Sequence, residues 1–220
     1  MNISDFFEEQ ILFINNRSLR QIVKDTLDDS PECIIHIGAS SSGLHHPLYS
    51  LGEGGLMRHI KAAVNMAYSL IQTQFFDYMC KDTDMSGLNI CYTKIREMLA
   101  DAVYAALILH DCEKPDETPK HRTRFDHPLR AADSFVKHAE DFTSRENLSE
   151  EDKEYLEAVI PIVKSCISSH MGQFNTSFEF EELALPIPRN GLEWLVHLTD
   201  YLGSRKYLIF DFDVWKESDR

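Results

Sequence analysis

Residues 102–114 read AVYAALILHDCEK, and this stretch decides both the fold and the candidate site. An apolar run over residues 102–109 is followed at once by His110 and Asp111, and then by a charged segment that contains prolines. Imidazole and carboxylate groups both bind divalent metals, and neither is stable at the end of an apolar helix face unless it has a partner. The sequence therefore predicts that other polar side chains meet this pair inside the protein.

The composition is typical of a globular protein with free thiols. The chain has 220 residues, of which 43% are hydrophobic and 26% charged, so it can bury a full core. Its 5 cysteines are odd in number and form no Cys-x-x-Cys motif, which favours a reducing compartment. The longest apolar run is far shorter than the ~20 residues of a membrane span, and the start, MNISDFFEEQ, does not resemble a signal peptide. We therefore expect a cytoplasmic protein without a membrane segment.

The formal net charge of −14 limits the classes of partner. An acidic surface repels the phosphates of nucleic acids, whose binding depends on lysine and arginine. Long RNA or DNA is therefore not an expected partner. A small anionic substrate remains compatible with the charge, since bound metal ions can invert the local potential. The sequence leaves the oligomeric state open, and an oligomer is compatible with it.

Hydrophobic periodicity predicts an all-α protein. Apolar residues recur at helical spacing in segments within 2–29, from 56 to 71, from about 95 to 110, from 128, from 149 to 170 and from 191 to 209, and residues 81–88 form a turn. Ser149 with Asp152 resembles a capping box, and Gly172 ends the preceding helix. Residues 34–37 are either a short strand or an extended segment, and residues 173–189 form a loop. Without an internal repeat or a linker, the chain is predicted to be a single domain over residues 1–220.

Polar residues at the ends of the predicted helices form a pattern. Three apolar helix faces lead into a metal-competent residue, and two further histidines lie in the first turns of helices. The set comprises His59, His110, Asp111, His127, His170 and Asp200. A single inward histidine is usually a hydrogen-bonded core residue, and a single aspartate is often a helix cap. The whole set favours a metal site, because one centre satisfies all of these polar groups together.

The same residues belong to a series of ordered motifs. The series comprises His45-His46, Gly-Gly-Leu-x-x-His at 54–59, His-Asp-x-x-Lys at 110–114, Asp-His-Pro at 126–128, Ile-Ser-Ser-His at 167–170 and Asp-Tyr-Leu at 200–202. In wording and order it resembles the HD-domain superfamily of metal-dependent phosphohydrolases, and most of all the branch that contains HD-domain 3′→5′ exoribonucleases. The resemblance covers about residues 45–207. An ordered set is specific, whereas a bare His-Asp dipeptide is not.

The resemblance implies an HD-type helical bundle with a metal site in its core. His59, His110, Asp111 and Asp200 would hold one divalent metal ion. Asp111 would also bridge to a second ion, held by the two remaining histidines, His127 and His170. Mixed nitrogen and oxygen ligands favour Mn, Fe, Co, Ni or Zn over Mg or Ca.

Two departures from the exoribonuclease-like branch bear on the function. Met171 stands where that branch tends to have a second histidine, which leaves fewer protein ligands for the second ion. The chain before residue 45 is also too short for the separate nucleic-acid-binding barrel of the exoribonucleases. Both the missing barrel and the acidic charge favour a small substrate.

The implied activity is hydrolysis of a phosphate ester of a nucleotide or a similar small phosphorylated metabolite, by attack of metal-bound hydroxide. Asp111 would act as the bridging ligand, and Lys114 would neutralise the phosphate oxygens unless it is only a solvated loop lysine. The proton donor to the leaving group stays open between metal-bound water, His121 and Glu113. The alternative functions are a 3′→5′ exonuclease or phosphodiesterase on short oligonucleotides and a non-catalytic module that senses a nucleotide.

Five further residues are candidates for substrate binding, each with a plainer alternative. His45 and His46 either line a substrate cleft or cap a turn. Arg122 and Arg124, in a basic cluster, either steer phosphate or are ordinary surface residues. Arg205 either reaches the substrate or pairs with the acidic C-terminal tail.

The segment after His170 is rich in phenylalanine. The loop over residues 172–189 either covers the cleft and stacks a base, or only packs on the core. His197, on the last predicted helix, is expected to be structural or solvent-facing. Cys112, beside Asp111, is interpreted as a buried neighbour rather than a nucleophile, because no thiolate-stabilising partner is evident.

Overall fold

The helix that ends at His110 runs through the middle of the structure. A computed structural model describes residues 2–40, 43–83, 91–116, 123–177 and 180–208 of the chain. This helix spans Tyr92–Leu109, and every residue from Met98 to Leu109 is buried. A helix that is apolar on all sides is stable only inside the protein, which explains its central place. Its last residues therefore deliver His110 and Asp111 to the interior.

The described residues form 8 α-helices and a small antiparallel sheet. The helices are α1 (Glu8–Ile11), α2 (Arg17–Asp28), α3 (Gly55–Ile71), α4 (Gln74–Met79), α5 (Tyr92–Leu109), α6 (His127–Arg145), α7 (Glu150–Ser169) and α8 (Gly191–Gly203). The strands are β1 (Thr176–Ser177) and β2 (Phe180–Ala184). The all-α prediction is confirmed, whereas the extent of the domain stays a prediction.

The long helices surround α5 and bury their apolar faces against it. Helices α2, α3, α7 and α8 contact α5, while α6 packs mainly on α7 and α2. Their buried side chains belong to one hydrophobic cluster. Helix α3 also packs along α8, and α7 contacts α8. The ends of these helices are thereby brought to the same region of the molecule.

Local capping fixes where the helices begin. The Ser149 hydroxyl accepts a hydrogen bond from the backbone N–H of Asp152 at 3.1 Å, as the capping-box pattern predicts. The Asn190 side chain accepts one from the N–H of Glu193 at 3.0 Å and starts α8. Pro128 lies in the first turn of α6, where its missing N–H costs nothing. These caps set the positions of His127 and Asp200 along their helices.

The local predictions are in part confirmed, and others differ from the structure or fall outside its described part. Residues 34–37 are not a strand, because a 3-10 helix covers Glu32–Ile35. The segment after His170 contains the β1–β2 hairpin rather than only loop. The amphipathic helix predicted from residue 56 is confirmed as Gly55–Ile71, and Thr73 caps the separate α4. Most of the predicted turn at 81–88 and all residues from 209 onward lie outside the described part.

Helix α8 ends at Gly203 rather than continuing to residue 209. In the described part of the chain, no helix combines the length and apolarity that a membrane crossing requires.

Candidate metal centre

Five helices each bring one or two polar residues to a single buried point. His59 lies in the first turns of α3, His110 and Asp111 follow α5, and His127 begins α6. His170 caps the C-terminus of α7, and Asp200 lies in α8. All are buried except the Asp200 side chain, which is 18% exposed. The structure thus brings together all six residues that the sequence singles out as ligands.

One half of the cluster is built around Asp200. Its Oδ1 atom lies 2.9 Å from Nε2 of His59 and 3.5 Å from Nε2 of His110. The Oδ2 atom of Asp111 closes this group at 3.4 Å from Nε2 of His110 and 3.8 Å from Nε2 of His59. We call this group the Asp200 half-site.

The other half of the cluster is built around the second oxygen of Asp111. Its Oδ1 atom lies 3.0 Å from Nε2 of His127 and 3.8 Å from Nε2 of His170. The two Nε2 atoms of these histidines are 3.2 Å apart. We call this group the His127–His170 half-site. The two oxygens of Asp111 therefore face two different groups, which is the arrangement of a bridging carboxylate.

Backbone carbonyls orient three of the four histidines. Nδ1 of His110 donates to the carbonyl of Leu107 at 2.7 Å, and Nδ1 of His170 donates to that of Ile167 at 2.8 Å. Nδ1 of His127 donates to the carbonyl of Arg124 at 2.5 Å. A carbonyl oxygen only accepts, so each of these Nδ1 atoms carries the proton. Each Nε2 atom then presents a lone pair to the cluster, as metal-binding histidines do.

This arrangement leaves buried lone pairs facing one another. The 3.2 Å contact between His127 and His170 joins two Nε2 atoms whose protons are on the opposite side of each ring. Nε2 of His110 and Oδ1 of Asp111 are buried without a hydrogen-bond partner of good geometry. Buried unpaired acceptors are costly, and only a proton or a metal ion between them removes the repulsion. The donor set, imidazole nitrogen with carboxylate oxygen, fits a divalent transition metal.

The surroundings of the metal-free cluster shift the pKa values of two aspartates and one histidine toward the states that bind a metal. Burial would raise the pKa of Asp111, but the charges of Lys114 and His110 hold it well below its usual range. Burial likewise opposes ionisation of Asp200, but its contacts with the imidazole rings of His110 and His59 hold its pKa well below the usual range. Burial lowers the pKa of His170 to about 3, with His110 adding to the effect. The aspartates are therefore charged and His170 is neutral at ordinary pH.

His110 behaves in the opposite way from His170. Burial lowers its pKa, but the carboxylates of Asp111 and Asp200 outweigh burial and raise it. The two carboxylates thus favour a positive charge on the ring of His110.

Lys114 lies directly beside the bridging carboxylate. Its Nζ atom is 2.6 Å from Oδ2 of Asp111, and its side chain is only 14% exposed. The backbone N–H of Lys114 donates to the carbonyl of Asp111 at 3.1 Å, while its own carbonyl accepts from Arg124 at 2.8 Å. A bridge between Pro115 and Thr123 joins the two sides of this segment. Lys114 is therefore held by the fold and is not a freely solvated lysine.

A cleft of about 240 Å³ opens over the cluster. Lys114 and Arg205 are its cations, and Asp200 is the single carboxylate among the described residues that line it. The lining residues are Ala39, Ser40, His45, His46, His59, Lys114, Thr123, His127, Met171, Phe174, His197, Asp200, Tyr201, Ser204 and Arg205. In a protein of net charge −14, this local balance suits a small anion.

The predicted substrate-binding residues are divided between the cleft and other positions. His45, His46 and Arg205 line the cleft, and the ring of His46 lies edge-on to that of His59 with centroids 5.7 Å apart. Arg124 instead pairs with Asp126 at 3.2 Å, and its carbonyl orients His127. These contacts give Arg124 a supporting place next to a ligand. Its proposed contact with phosphate stays a prediction.

The proton-donor candidates and Arg122 have different positions. His121, a proton-donor candidate, and Arg122, a substrate-binding candidate, lie outside the described part of the chain. Glu113 lines a different surface groove, together with Asp126 and Arg130. Cys112 is buried, and burial raises its pKa, which agrees with its interpretation as an inert neighbour.

The supporting role of His197 is hardly visible in the sequence. This residue is buried, lines the cleft, and its Nδ1 lies 2.7 Å from the carbonyl of His170. Its Nε2 lies 2.8 Å from the side-chain oxygen of Gln173. Of the two expectations for His197, structural or solvent-facing, the structural one is therefore observed. One feature of the sequence indicates this role: His197 lies three residues before Asp200, which places the two side chains on neighbouring faces of α8.

Gly172 makes the contact between α7 and His197 possible. Its backbone has φ +54°, and a Cβ atom there would lie 2.3 Å from Cε1 of His197. Only glycine combines this left-handed conformation with so close an approach. The glycine that ends α7 therefore also lets the ring of His197 support the carbonyl of His170.

No protein-family model, curated protein or solved structure matches this chain.

Proposed function

We propose that this protein is a metal-dependent phosphohydrolase that cleaves a phosphate ester of a small phosphorylated metabolite, in the first place a nucleotide. One observation carries the proposal: the buried carboxylate of Asp111 faces a different set of histidines with each oxygen and has Lys114 beside it, at the base of a cleft. The motif resemblance to HD-domain phosphohydrolases supports the same activity.

We assign the six candidate ligands to two metal positions. His59, His110, Asp200 and Oδ2 of Asp111 would hold one ion. His127, His170 and Oδ1 of Asp111 would hold a second. When bound, such ions supply Lewis acidity, which activates water near neutral pH and neutralises phosphate charge.

The side chains of the protein would position the two ions and bind the substrate. Asp111 keeps the two positions at a fixed separation, because its buried carboxylate is held by groups on both sides. Lys114 would bind a non-bridging phosphate oxygen, which requires that its ammonium turn from Asp111 toward the cleft. The lining of the cleft would orient the ester above the two positions. The acidic net charge of −14 disfavours long polyanions and leaves small esters as the substrate class.

Metal analysis and a phosphate-release screen test this proposal together. Purified protein is expected to contain a transition metal, or to take one up when Mn or Co is added. It should then release phosphate from nucleotides in preference to short oligonucleotides. A protein that neither binds nor responds to these metals would not be an enzyme of this kind. Preference for oligonucleotides would instead support the exonuclease alternative.

The variant Asp111→Asn tests the bridging role. The amide keeps the shape of the side chain but has only one acceptor oxygen, so we expect loss of turnover and of bound metal. Asp133→Asn is the matched control, since that carboxylate is 76% exposed and lies 3.7 Å from Lys164. Full activity and metal content in Asp111→Asn would refute the assignment.

A further inference from the structure

One wall of the cleft carries a row of flat side chains that the proposed phosphate chemistry does not use. The rings of Phe174 and Tyr201 stack with centroids 6.2 Å apart and planes inclined by 18°. The guanidinium of Arg205 lies over the ring of Tyr201, 4.3 Å from its centroid. We call Phe174, Tyr201 and Arg205 the stacking wall. All three line the cleft over the metal centre.

The stacking wall ends in an uncovered ring. Phe174 is 48% exposed although its side chain is wholly apolar. Apolar area left in water costs free energy in proportion to its size, so a flat ligand that covers the ring is stabilised. Phe174 is more exposed than Phe75, which is 38% exposed on α4. The place of Phe174 in a cleft next to two cations distinguishes it from an isolated surface side chain.

The wall is fixed in position before any ligand arrives. Nε and Nη2 of Arg205 both donate to the Ser204 hydroxyl, at 3.1 and 2.7 Å, which sets the plane of the guanidinium. The ring of His197 lies 6.0 Å from that of Tyr201 on the side of α8. Tyr201 also follows Asp200 directly in the chain. A group stacked here is therefore held at a constant place relative to the metal centre.

We propose that the stacking wall is a specificity subsite that selects phosphate esters carrying a nucleobase and discriminates against sugar phosphates. This inference rests on the proposed phosphohydrolase function. Nucleobases stack on aromatic rings and on arginine guanidinium planes. Such stacking tolerates every base, because each has a flat π face. The subsite therefore defines the class of substrate, a nucleotide, while the identity of the base is left to other contacts.

The first test compares two substrates that differ only in the base. They are the nucleotide that the wild type hydrolyses fastest and the sugar phosphate that remains when its base is removed. The kcat/KM of the nucleotide divided by the kcat/KM of the sugar phosphate measures the specificity that the stacking wall provides. We expect Phe174→Leu to lower this ratio about tenfold, mainly through a higher KM for the nucleotide. Phe174→Trp, which keeps a flat ring, should restore the ratio.

Trp194→Leu is the matched control. Trp194 is 49% exposed on α8, the helix that carries Tyr201, but it does not belong to the lining of the cleft. Its replacement should leave the ratio at the wild-type value. An equal loss of the ratio in Trp194→Leu and Phe174→Leu would overturn the subsite, since the effect would then not depend on a place in the cleft.

A binding experiment separates failure of the subsite from failure of the proposed function. Metal-stripped protein is titrated with a free nucleoside, which has no phosphate, and binding is followed by NMR of the nucleoside protons. Weaker binding to Phe174→Leu than to wild type supports the subsite, even if the wild type hydrolyses no ester and the phosphohydrolase proposal fails. Equal nucleoside binding by both proteins, or an unchanged substrate ratio in Phe174→Leu, overturns the subsite.

Discussion

Lys114 is the residue whose position is hardest to reconcile with a single role. Its ammonium lies 2.6 Å from Oδ2 of Asp111, an oxygen that also faces His110 and His59. In the metal-free protein the lysine therefore neutralises the carboxylate that a metal ion would otherwise neutralise. Once an ion is bound, the lysine is no longer needed for that purpose. Its charge then becomes available to a phosphate in the cleft.

Replacing Lys114 with Met should destabilise the metal-free protein far more than the metal-loaded protein. Without metal, the buried carboxylate of Asp111 loses its partner, and breaking a buried pair costs about 3 kcal/mol at the low end of the usual range. A bound ion supplies the missing charge, so the loss should be much smaller when metal is present. Chemical denaturation with EDTA and with added Mn measures the two values.

The control for this experiment is Lys137→Met. That lysine is 65% exposed and lies 3.6 Å from Asp29, so its removal should change stability by less than about 0.5 kcal/mol in either condition. Equal destabilisation of Lys114→Met with and without metal would mean that Lys114 does not substitute for the ion.

Gly172 offers a second prediction at the level of one residue. Gly172→Ala should destabilise the protein and weaken metal binding, because the methyl group would displace His197 from the carbonyl of His170. Gly52→Ala is the control: its φ is +63°, but nothing lies within 4 Å of the added Cβ atom. The control should cost about 1–2 kcal/mol for the left-handed backbone alone.

The difference between the two glycine variants isolates the contact with His197. We expect Gly172→Ala to cost at least 1 kcal/mol more than the control, as overpacking usually does. It alone should also lower metal affinity, measured by calorimetric titration. Equal losses of stability and unchanged metal binding in both variants would show that the contact has no part in the centre.

Among the helices, α5 is held in place at its middle by a buried carboxylate. Asp101 accepts hydrogen bonds from the backbone N–H groups of Asn15 and Asn16 at 2.8 and 3.0 Å. It also accepts one from the hydroxyl of Tyr155 at 2.8 Å and one from the side chain of Asn15 at 3.1 Å. The carboxylate thus connects α5 to the start of α2 and to α7. It lies on the helix that carries His110, more than two turns away.

Asp101→Asn should lower stability by about 2 kcal/mol or more. An amide offers one oxygen and one N–H₂ group, so at least one of the donors that Asp101 now satisfies would face another donor. Thermal and chemical unfolding measure the loss, with Glu97→Gln as the control because Glu97 is exposed one turn earlier on α5. Metal stoichiometry should be unchanged. An unaltered unfolding midpoint would contradict this role of Asp101.

The helices and the burial of the candidate metal ligands could be predicted from the sequence for the same physical reason. An apolar stripe at helical spacing indicates which face is buried, and a polar residue that continues the stripe, such as His170 or Asp200, must then be buried too. The contacts that depend on distant segments could not be predicted. The hydrogen bonds of Asp101 join residues that are 86 positions apart, and local periodicity contains no information about such pairs.

The same limit applies to the parts of the site outside the helices. Residues 34–37 have the composition of a strand, but Ile34 and Ile35 belong to a 3-10 helix, and no partner strand lies beside them in the described structure. The basic cluster around Arg124 indicates either a residue that steers phosphate or an ordinary surface residue. The pairing of Arg124 with Asp126 and the use of its carbonyl by His127 depend on how α6 begins, which composition does not reveal.

In the molecule as a whole, the candidate metal centre connects five helices that also contact one another through apolar packing and polar contacts. Its ligands extend from residue 59 to residue 200 along the chain, so the unfolded chain does not present them together. An ion that binds the folded state alone stabilises the entire protein, by RT ln(1 + [L]/Kd). The gain should be about 2.7 kcal/mol when the free ion is at 100 times its Kd.

Removal of metal with EDTA should therefore lower the midpoint of thermal unfolding, by roughly 5–10 °C for a chain of this length. Adding back Mn, Co or Zn should restore the midpoint progressively with concentration, whereas Mg and Ca should restore little because they prefer oxygen ligands. The transition should stay a single cooperative step, since the ligands come from five helices that pack in one core. Asp111→Asn should show no such dependence, because its two half-sites lose their shared ligand. A midpoint that ignores metal concentration in the wild type would contradict the centre itself.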